Sequence, residues 1–407
     1  MGARSVIFLG NFYSPKLMKT IREDSKGSVS FATHNYEMSL FRGFLSHEDL
    51  IIDAFVVPSI YSYPKYHKHW KIDSEDFSIE RAKVHSIGFI NLPVIKDIHR
   101  SISLFFSLTK CLRRRKENVT KVFVSCPYSY LLGPLFFIRR FFSRKIDVTL
   151  LIMDMPAIVY EMDGYKGLKG WVLSVMNNTV MKKVAKCDKL VLMTEPMMEF
   201  ISSNPPHIIA EGIVDIASMS KDYMPLEKKD KEIILYTGTL RAIFGVRNLV
   251  DAFEQANLKD TELWICGSGD SKEYIEERAA NNKSIRFFGL VDAKTALEFQ
   301  RKATILVNPR TSEGKFTKYS FPSKTMEYLL AGKSVIINKL PGIPDEYYRF
   351  VYTPSDESIT ALSSILNTVV NTSFNERQKK ALEGRNYVVN QKNSHVQAGR
   401  VLDLMYS

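Results

Sequence analysis

Residues 303–347 read ATILVNPRTSEGKFTKYSFPSKTMEYLLAGKSVIINKLPGIPDEY. A β-rich run, 305–307, ends in Asn-Pro-Arg, and a polar loop then leads into a helical run that begins near Ser323. A second apolar strand follows at 334–337, so the segment predicts a strand–helix–strand unit of a parallel sheet. The loop that enters such a helix suits phosphate and ribose, because the first N–H groups of the helix are unpaired and its dipole favours anions.

Two charged residues stand at the start of this helix. Lys324 and Glu327 are three positions apart, so they share one helix face. The lysine is a cation suited to a diphosphate, and the glutamate is a carboxylate suited to the paired hydroxyls of a ribose. Together with Ser323, they predict a nucleotide site at this point of the chain.

Length and composition indicate a globular protein of two domains. A chain of 407 residues is too long for one ordinary core. The four cysteines are far apart and form no C-x-x-C pair, which disfavours a metal site or a disulfide framework and fits a reducing compartment. The chain shows no signal-peptide pattern, and no stretch approaches the ~18 apolar residues of a membrane span. We therefore expect a cytoplasmic protein, either soluble or peripheral to a membrane.

The positive charge is concentrated in the first half of the chain. Residues 1–205 hold 29 Lys and Arg against 19 Asp and Glu, so they carry +10 of the net charge of +12. Two stretches, 102–116 and 135–145, mix aromatic residues with cations. They suit an anionic membrane surface, or alternatively they are core helices with solvated cationic ends. Because no nucleic-acid motif is present, we expect no nucleic-acid partner.

Strands alternate with helices along 1–205 and again after residue 231, which predicts an α/β protein with two doubly wound domains. A polar stretch, 206–230, is predicted as the junction between them. Residues 62–83 are predicted as a long loop with little regular structure. A strand at 28–32 is predicted to carry His34 and Asn35 at its end.

Three further positions could contact a ligand. Gly238 lies in a turn between a predicted strand and a helix, where glycine lets the backbone approach a pyrophosphate; the alternative is an ordinary turn. Gly267 lies in a similar turn, for which a ligand contact and simple tight packing are equally open. Arg310 follows a strand end, either as a cation near the phosphates or sugar of a ligand or as a surface residue in a loop.

The segment also resembles the donor-site region of the GT-B glycosyltransferases, in particular the large retaining family called family 4. Members carry two glutamates eight positions apart, followed by a small residue, a glycine and an apolar strand. Glu327, Ala331 and Gly332 match the second half of this pattern, whereas Tyr319 stands where the first glutamate is expected. Residues 322–329 read PSKTMEYL, similar to the P-S-K-x-x-E-Y-L branch found among enzymes that make bacterial surface polysaccharides.

The resemblance departs from the family at a second place. Members carry G-R-L-x-x-x-K-G, whose Arg and Lys bind the donor diphosphate, at the turn that here spans 238–245. Thr239 replaces the arginine and Phe244 replaces the lysine. Either Arg241 and Lys324 supply the missing positive charge, or the donor is bound differently.

The resemblance implies roles for further residues. Gly10 and Asn11 match the turn that GT-B enzymes place beneath the transferred sugar, and Asp154 is a candidate for contact with sugar or acceptor, or alternatively a helix cap. Gly267 is implied to pack near the nucleotide, and Gly289 and Val291 to lie beside its base. The residues implied to bind the donor are Gly10, Asn11, Gly238, Thr239, Arg241, Gly267, Gly289, Val291, Tyr319, Ser323, Lys324 and Glu327. The residues implied to be catalytic are Asp154, Arg310 and Lys324.

The implied architecture is two Rossmann-like domains that face a cleft. The resemblance implies that residues 1–205 bind the acceptor, that residues 231–385 bind the donor, and that a final helix within 386–407 returns to the first domain. The implied activity is retaining, metal-independent transfer of a sugar from a nucleotide-sugar, with uracil as the expected base. The implied acceptor is a growing glycan or one linked to a polyprenyl diphosphate lipid, at the inner face of a bacterial membrane.

We expect no cofactor, and no D-x-D metal motif lies in a matching context. Two other functions stay open. One is a GT-B sugar-nucleotide epimerase, which needs acidic groups in the cleft. The other is a degenerate subunit that only scaffolds a partner glycosyltransferase, a possibility favoured by the substitutions at Thr239, Phe244 and Tyr319.

Overall fold

The computed structural model describes residues 4–24, 32–93, 95–115, 117–142, 145–156, 167–214 and 225–407. The chain divides into two compact units, one formed by Met1–Asp215 with Asn393–Ser407 and the other by Ile216–Lys392. We call them unit 1 and unit 2.

Unit 1 contains a mainly parallel sheet with helices packed on it. Its strands are β1 Arg4–Gly10, β2 Leu50–Val56, β3 Lys71–Ile72, β4 Glu75–Ile79, β5 Ala82–Ser86, β6 Phe89–Ile90, β7 Val119–Val124, β8 Lys145–Ile152, β9 Lys189–Leu192 and β10 His207–Ile209. Its helices are α1 Pro15–Asp24, α2 Ala32–Leu45, α3 Ile95–Arg114, α4 Ser129–Phe141 and α5 Gly167–Val184, with a short 3-10 helix at Glu195–Phe200.

Within the described part of unit 1, the sheet has the strand order β10-β9-β8-β7-β1-β2-β5-β4. Only the edge strand β4 runs antiparallel to its neighbour, and β3 and β6 form a separate antiparallel ribbon. The core between this sheet and α2 is rich in phenylalanine. The ring of Phe8 lies 4.9 Å from Phe41 and 5.2 Å from Phe123, centre to centre. Such close packing of large rings supplies much of the apolar burial that stabilises the unit.

Unit 2 is a smaller doubly wound α/β unit. Its strands are β11 Glu232–Thr237, β12 Thr261–Cys266, β13 Ile285–Phe287, β14 Ile305–Asn308 and β15 Ser334–Ile337. Its helices are α6 Val246–Ala256, α7 Lys272–Asn281, α8 Ala293–Lys302, α9 Ser323–Ala331, α10 Ile359–Asn371 and α11 Phe374–Gln391, with 3-10 helices at Ala242–Phe244, Lys315–Lys318 and Asp345–Phe350. The strands pair in parallel in the order β13-β12-β11-β14-β15.

The helix starts of unit 2 follow from the sequence. Asp292 accepts a hydrogen bond from the backbone N–H of Thr295 (2.7 Å) at the start of α8. Ser358 does the same for α10 through the N–H of Ala361, at 3.1 Å. Short polar side chains at these positions satisfy N–H groups that the helix itself leaves unpaired.

The final helix, α12 Ser394–Tyr406, belongs to unit 1. Its apolar residues Ala398, Val401, Leu402 and Met405 join the core cluster that contains Phe8. The approach to α2 is close, since a Cβ on Gly43 would lie 2.1 Å from the carbonyl oxygen of Ser394. The tail therefore completes the core of the unit in which the chain begins.

Several sequence predictions need correction. Residues 62–83 are not one long loop, because they contain β3, β4 and the start of β5; this stretch alternates polar and apolar residues at an exposed sheet edge, a weak strand signal. Residues 28–31 of the predicted strand lie outside the described residues. His34 and Asn35 lie in helix α2 and not at a strand end. In the stretch predicted as a junction, β10 pairs with β9 and extends the sheet of unit 1.

Candidate functional site

The strand order of unit 2 reverses between β11 and β14, which pair side by side. In open α/β sheets, ligands bind at the carboxyl ends of the strands at such a switch point. β11 ends at Thr237 and β14 ends at Asn308, so the turns that carry Gly238 and Arg310 both leave the sheet there. The switch point thus brings together two segments that are about seventy residues apart in the sequence.

Backbone contacts fix the turns around this crevice. The N–H of Leu240 donates to the carbonyl of Ser268 (2.9 Å), and the N–H of Gly267 donates to the carbonyl of Gly289 (2.7 Å). Gly267 has a φ of +146°, and a Cβ there would lie only 1.7 Å from the carbonyl oxygen of Gly238. Glycine at 267 is therefore required by the close packing of two neighbouring turns, which is one of the two alternatives that the sequence left open.

Lys324 lies against the turn that follows β11. A Cβ on Gly238, whose φ is +154°, would lie 2.5 Å from Cε and 2.9 Å from Nζ of Lys324. Burial lowers the pKa of the half-buried lysine, and the charge of Glu327 opposes this shift. The hydroxyl of Tyr236 is also near, 3.3 Å from the same Cβ position. Without a side chain at 238, this ammonium group has space beside the backbone of the turn.

The side chain of Glu327 contacts a different element from that of Lys324. Its exposed carboxylate accepts a hydrogen bond from the side-chain amide of the buried Gln300 in α8. Ser323, also exposed, is the first residue of α9. The helix start therefore offers a cation on the side of Gly238 and a carboxylate on the side of α8.

Arg310 is the second cation at the switch point. Its guanidinium lies 5.5 Å from the ring centre of Phe244 and 4.7 Å from that of Phe316, and it donates to the hydroxyl of Ser320 at 3.2 Å. Its Nε is buried and has no hydrogen-bond partner in the part of the chain that the structure describes. Burial lowers the pKa of Arg310 to about 10, while Tyr236 acts in the opposite direction. A desolvated cation with an unpaired donor is suited to an anionic ligand.

Phe244 has a second arginine beside it. The guanidinium of Arg241, which is exposed, lies 5.7 Å from the same ring centre. A phenyl ring attracts cations through its negative faces. Phe244, which stands where a lysine is expected from the resemblance, carries no charge. The guanidinium groups of Arg241 and Arg310 nevertheless both lie near its ring.

The remaining predicted residues of unit 2 lie in the loops of the same edge. The carbonyl of Thr239 accepts a hydrogen bond from the hydroxyl of Tyr236, at 2.8 Å. Gly289 has a φ of +66°, and a Cβ added there would meet no atom within 4 Å. Val291 is half-buried in the loop before α8. Tyr319 follows the 3-10 helix Lys315–Lys318, and Nζ of Lys318 lies 5.6 Å from its ring centre.

The sheet of unit 1 has its own switch point, between β1 and β7. There the fully buried Glu37 of α2 accepts a hydrogen bond from the backbone N–H of Asn11 (2.7 Å) and one from the thiol of Cys126 (3.2 Å). The pKa of Glu37 is raised by burial, and these hydrogen bonds oppose the shift. The carboxylate joins the turn after β1 to the turn after β7.

Sequence reasoning missed Glu37, although a signal was present. Leu40, Phe41 and Phe44 lie three, four and seven positions after it, which is the spacing of one helix face. A carboxylate on the apolar stripe of a helix is costly to bury unless it is well hydrogen-bonded. Its position therefore indicates a built-in polar contact in the core.

The predicted residues of unit 1 are divided between the core and the surface. Asn11 is buried and accepts a hydrogen bond from the hydroxyl of Tyr130 at 2.7 Å. A Cβ on Gly10 would lie 2.8 Å from the ring of Phe8. Asp154 lies two residues after β8, and its side chain is exposed. His34, placed by α2, accepts a hydrogen bond from the N–H of Tyr13 at 3.2 Å.

A match to a known protein family covers most of unit 2. Residues 231–368 match the family model described as "Glycosyl transferases group 1". They form a glycosyl transferases group 1 domain. This group 1 domain contains the whole parallel sheet of unit 2 together with Gly238, Arg310, Lys324 and Glu327. No curated protein matches the chain.

Solved structures confirm the GT-B fold of the chain that carries the group 1 domain. Sucrose-phosphate synthase from Thermosynechococcus elongatus is similar with a TM-score of 0.63 and 13% identity, over 99% of this chain and 98% of that one. The solved structure described as "Trehalose-6-phosphate from E. coli bound with UDP-2-fluoro glucose" is similar with a TM-score of 0.63 and 10% identity, over 99% of both chains. The lipopolysaccharide outer core galactosyltransferase WaaB is similar with a TM-score of 0.61 and 14% identity, also over 99% of both chains. At these identities the likeness concerns the fold alone.

Proposed function

We propose that the protein is a retaining glycosyltransferase that moves a sugar from a UDP-sugar to a hydroxyl group of a lipid-linked or growing surface glycan. The observation that carries this proposal is the pair of desolvated cations, Lys324 and Arg310, at the switch point of the group 1 domain. Two of the structural neighbours support it. One is bound with UDP-2-fluoro glucose, and another is a galactosyltransferase of the lipopolysaccharide outer core.

In the proposed mechanism, the bond between the anomeric carbon and the diphosphate oxygen breaks as UDP leaves. Lys324, Arg310 and the first N–H groups of α9 stabilise the negative charge that grows on the leaving group. The acceptor oxygen forms its bond to the anomeric carbon on the same face. Its proton passes to the leaving phosphate oxygen, so the chain needs no dedicated general base. Asp154 would contact the sugar or the acceptor.

The substitutions that favour a degenerate subunit have a different explanation in this proposal. Thr239 and Phe244 remove two positive charges from the turn after β11, but Arg241 and Arg310 lie against the ring of Phe244. Positive charge is thus retained beside the diphosphate position, although it comes from other residues.

The first test is a thermal-shift panel of purified protein against UDP, GDP, ADP, CMP and several UDP-sugars. We expect UDP compounds to raise the melting temperature selectively, and Lys324→Ala and Arg310→Ala to abolish that rise. Lys339→Ala is the matched control, since Lys339 belongs to the same unit and its side chain is 73% exposed. A panel without any nucleotide-dependent shift would favour the degenerate scaffold. Retention would be tested by the anomeric configuration of the product.

We further propose that unit 1 carries the protein to the inner face of the membrane. Exposed apolar residues line α3 and α4, and we call them the apolar ridge: Ile98, Ile102, Phe106, Phe137 and Phe141. Cations lie beside the ridge at the ends of both helices, for example Arg113 and Arg140. Apolar side chains flanked by cations suit an anionic lipid surface. No helix of the described residues is long and apolar enough to span a bilayer.

Co-sedimentation with vesicles tests this second proposal. We expect the protein to bind vesicles of phosphatidylcholine with 30% phosphatidylglycerol, taken as roughly the anionic content of such a surface, and to release as salt rises. The double variant F106S/F141S should lose this binding. Leu382→Ser, which alters an exposed apolar residue of unit 2, is the control. Equal binding by both variants would refute a membrane role of the apolar ridge.

A further inference from the structure

Unit 1 also has a groove that is lined by none of the residues described at its switch point. It is bounded by the ribbon β3–β6, the region after β5 and one side of α3, and its volume is about 440 Å³. This volume lies within the roughly 300–1,000 Å³ of small-molecule sites. Its residues all belong to unit 1, so the groove is complete within one compact unit.

The floor of the groove is apolar. Ile72, Ile87 and Phe89 line it and are buried. Ile72 and Phe89 belong to a core cluster with Tyr13, so the floor is part of the packed interior. Above it, Trp70 lines the groove while 56% of its surface is exposed. An indole that lines a groove and also contacts water presents a flat apolar surface and an N–H donor to a ligand.

The walls of the groove are polar. His99, Ser103 and Ser107 follow one another at intervals of four along α3 and line one wall. Nδ1 of His99 and the hydroxyl of Ser103 are 3.2 Å apart. Asp73 and His85 line other parts of the groove. The lining thus combines an aromatic plane, an apolar floor and several small hydrogen-bonding groups.

We infer that this groove binds the saccharide of an amphiphilic, lipid-linked acceptor. A sugar ring presents a C–H face and an edge of hydroxyl groups, which complement the indole of Trp70 and the hydroxyl and imidazole groups of the walls. This inference rests on the proposed function, and it assigns the acceptor to a particular surface of unit 1.

The amphiphilic nature of the ligand follows from the geometry of α3. Ile102 stands three positions after His99, and Phe106 stands three positions after Ser103. Residues at this spacing are neighbours on a helix surface. The polar wall of the groove is therefore continuous with the exposed apolar ridge. A saccharide in the groove can extend its lipid along Ile102 and Phe106 without leaving the helix surface.

The fluorescence of Trp70 can report on ligand binding in the groove. The chain has three tryptophans, at positions 70, 171 and 264, so the variant W171F/W264F keeps Trp70 as its only one. Octyl β-glucoside and octyl β-galactoside, used below their micelle concentrations, serve as probes of an amphiphilic saccharide. We expect both to shield Trp70 from acrylamide, with at least a twofold fall in the quenching constant. Octanol at the same concentrations should not shield it.

A blocking variant connects this signal to the groove. Ser103→Phe fills the polar wall and should weaken the apparent affinity for the octyl glycosides at least tenfold. Ser101→Phe, on the same helix but outside the lining, should leave it unchanged. Equal shielding by octanol, or unchanged affinity in Ser103→Phe, would overturn the inference.

Parallel thermal shifts with UDP separate this inference from the proposed function. If UDP raises the melting temperature but the octyl glycosides do not shield Trp70, saccharide binding in the groove is refuted and the proposed transferase function is kept. If Ser103→Phe abolishes the shielding in a protein that no nucleotide stabilises, the groove is a saccharide site, but the transferase and the acceptor role of the groove are both refuted.

Discussion

The substitution Gly267→Ala tests whether the turns at the switch point of unit 2 are packed as tightly as described. The added Cβ would lie 1.7 Å from the carbonyl oxygen of Gly238 and 3.3 Å from Leu240, at a φ of +146° that L side chains rarely adopt. The contacting atom belongs to the backbone, so it cannot move away as a flexible side chain would. Backbone strain costs about 1–3 kcal/mol, and overpacking costs about another 1–3 kcal/mol. We therefore expect a loss of about 2–6 kcal/mol in the free energy of unfolding of unit 2.

Gly289→Ala is the matched control for this prediction. Gly289 also has a positive φ, +66°, but a Cβ there would meet nothing within 4 Å. Only the cost of a left-handed conformation remains, about 1–2 kcal/mol. Guanidinium unfolding would be followed by the fluorescence of Trp264, which lies in β12 just before Gly267, in the background W70F/W171F. If both variants lost the same free energy, the tight packing of the two turns would be refuted.

Three further predictions concern charged groups. Phe244→Ala should weaken UDP binding about 2- to 30-fold, the equivalent of a cation–π contact of roughly 0.5–2 kcal/mol, and Arg310→Ala should weaken it more, as measured by calorimetric titration. Because burial raises the pKa of Glu37, the stability of the wild type relative to Glu37→Gln should be greatest at low pH. It should fall as pH rises above the ordinary value of 4.5, by at most about 1.4 kcal/mol per pH unit in urea unfolding. Arg377→Ala should cost about 1.5–3 kcal/mol because the half-buried carboxylate of Glu232 loses its charged hydrogen-bond donor, and R377M/E232Q should cost less in the same unfolding assay.

Sequence reasoning was most informative where the local pattern determines the structure. The run 303–347 predicted β14, α9 and β15 in order, because apolar strands and a glycine after the helix are local signals. The pairing of β11 with β14 is not local. It could be predicted only through the resemblance to GT-B proteins, and the structural neighbours confirm that fold.

Side-chain partners were harder to predict than backbone elements. Lys324 and Glu327 share a helix face in the sequence, yet one side chain contacts the turn at Gly238 and the other contacts Gln300. Phe244 seemed a loss of charge, since the sequence cannot show that Arg310 reaches its ring from another strand end. His34 was assigned to a strand end because its helix begins with Ala32, directly after residues whose composition suggested a strand. The roles of the predicted site residues stay predictions until ligand binding is measured.

The final helix affects how the protein is made. α12 supplies Val401, Leu402 and Met405 to the core of unit 1, while unit 2 is encoded entirely before it. Domains generally fold in order of synthesis, but here the unit that is begun first lacks part of its interior until the second unit has been synthesised. The hydroxyl of Tyr406 donates to the carbonyl of Ser5 at 2.8 Å, so residues near the two ends of the sequence meet. During translation, unit 2 can therefore finish folding first, whereas unit 1 can complete its apolar core only when its last helix docks.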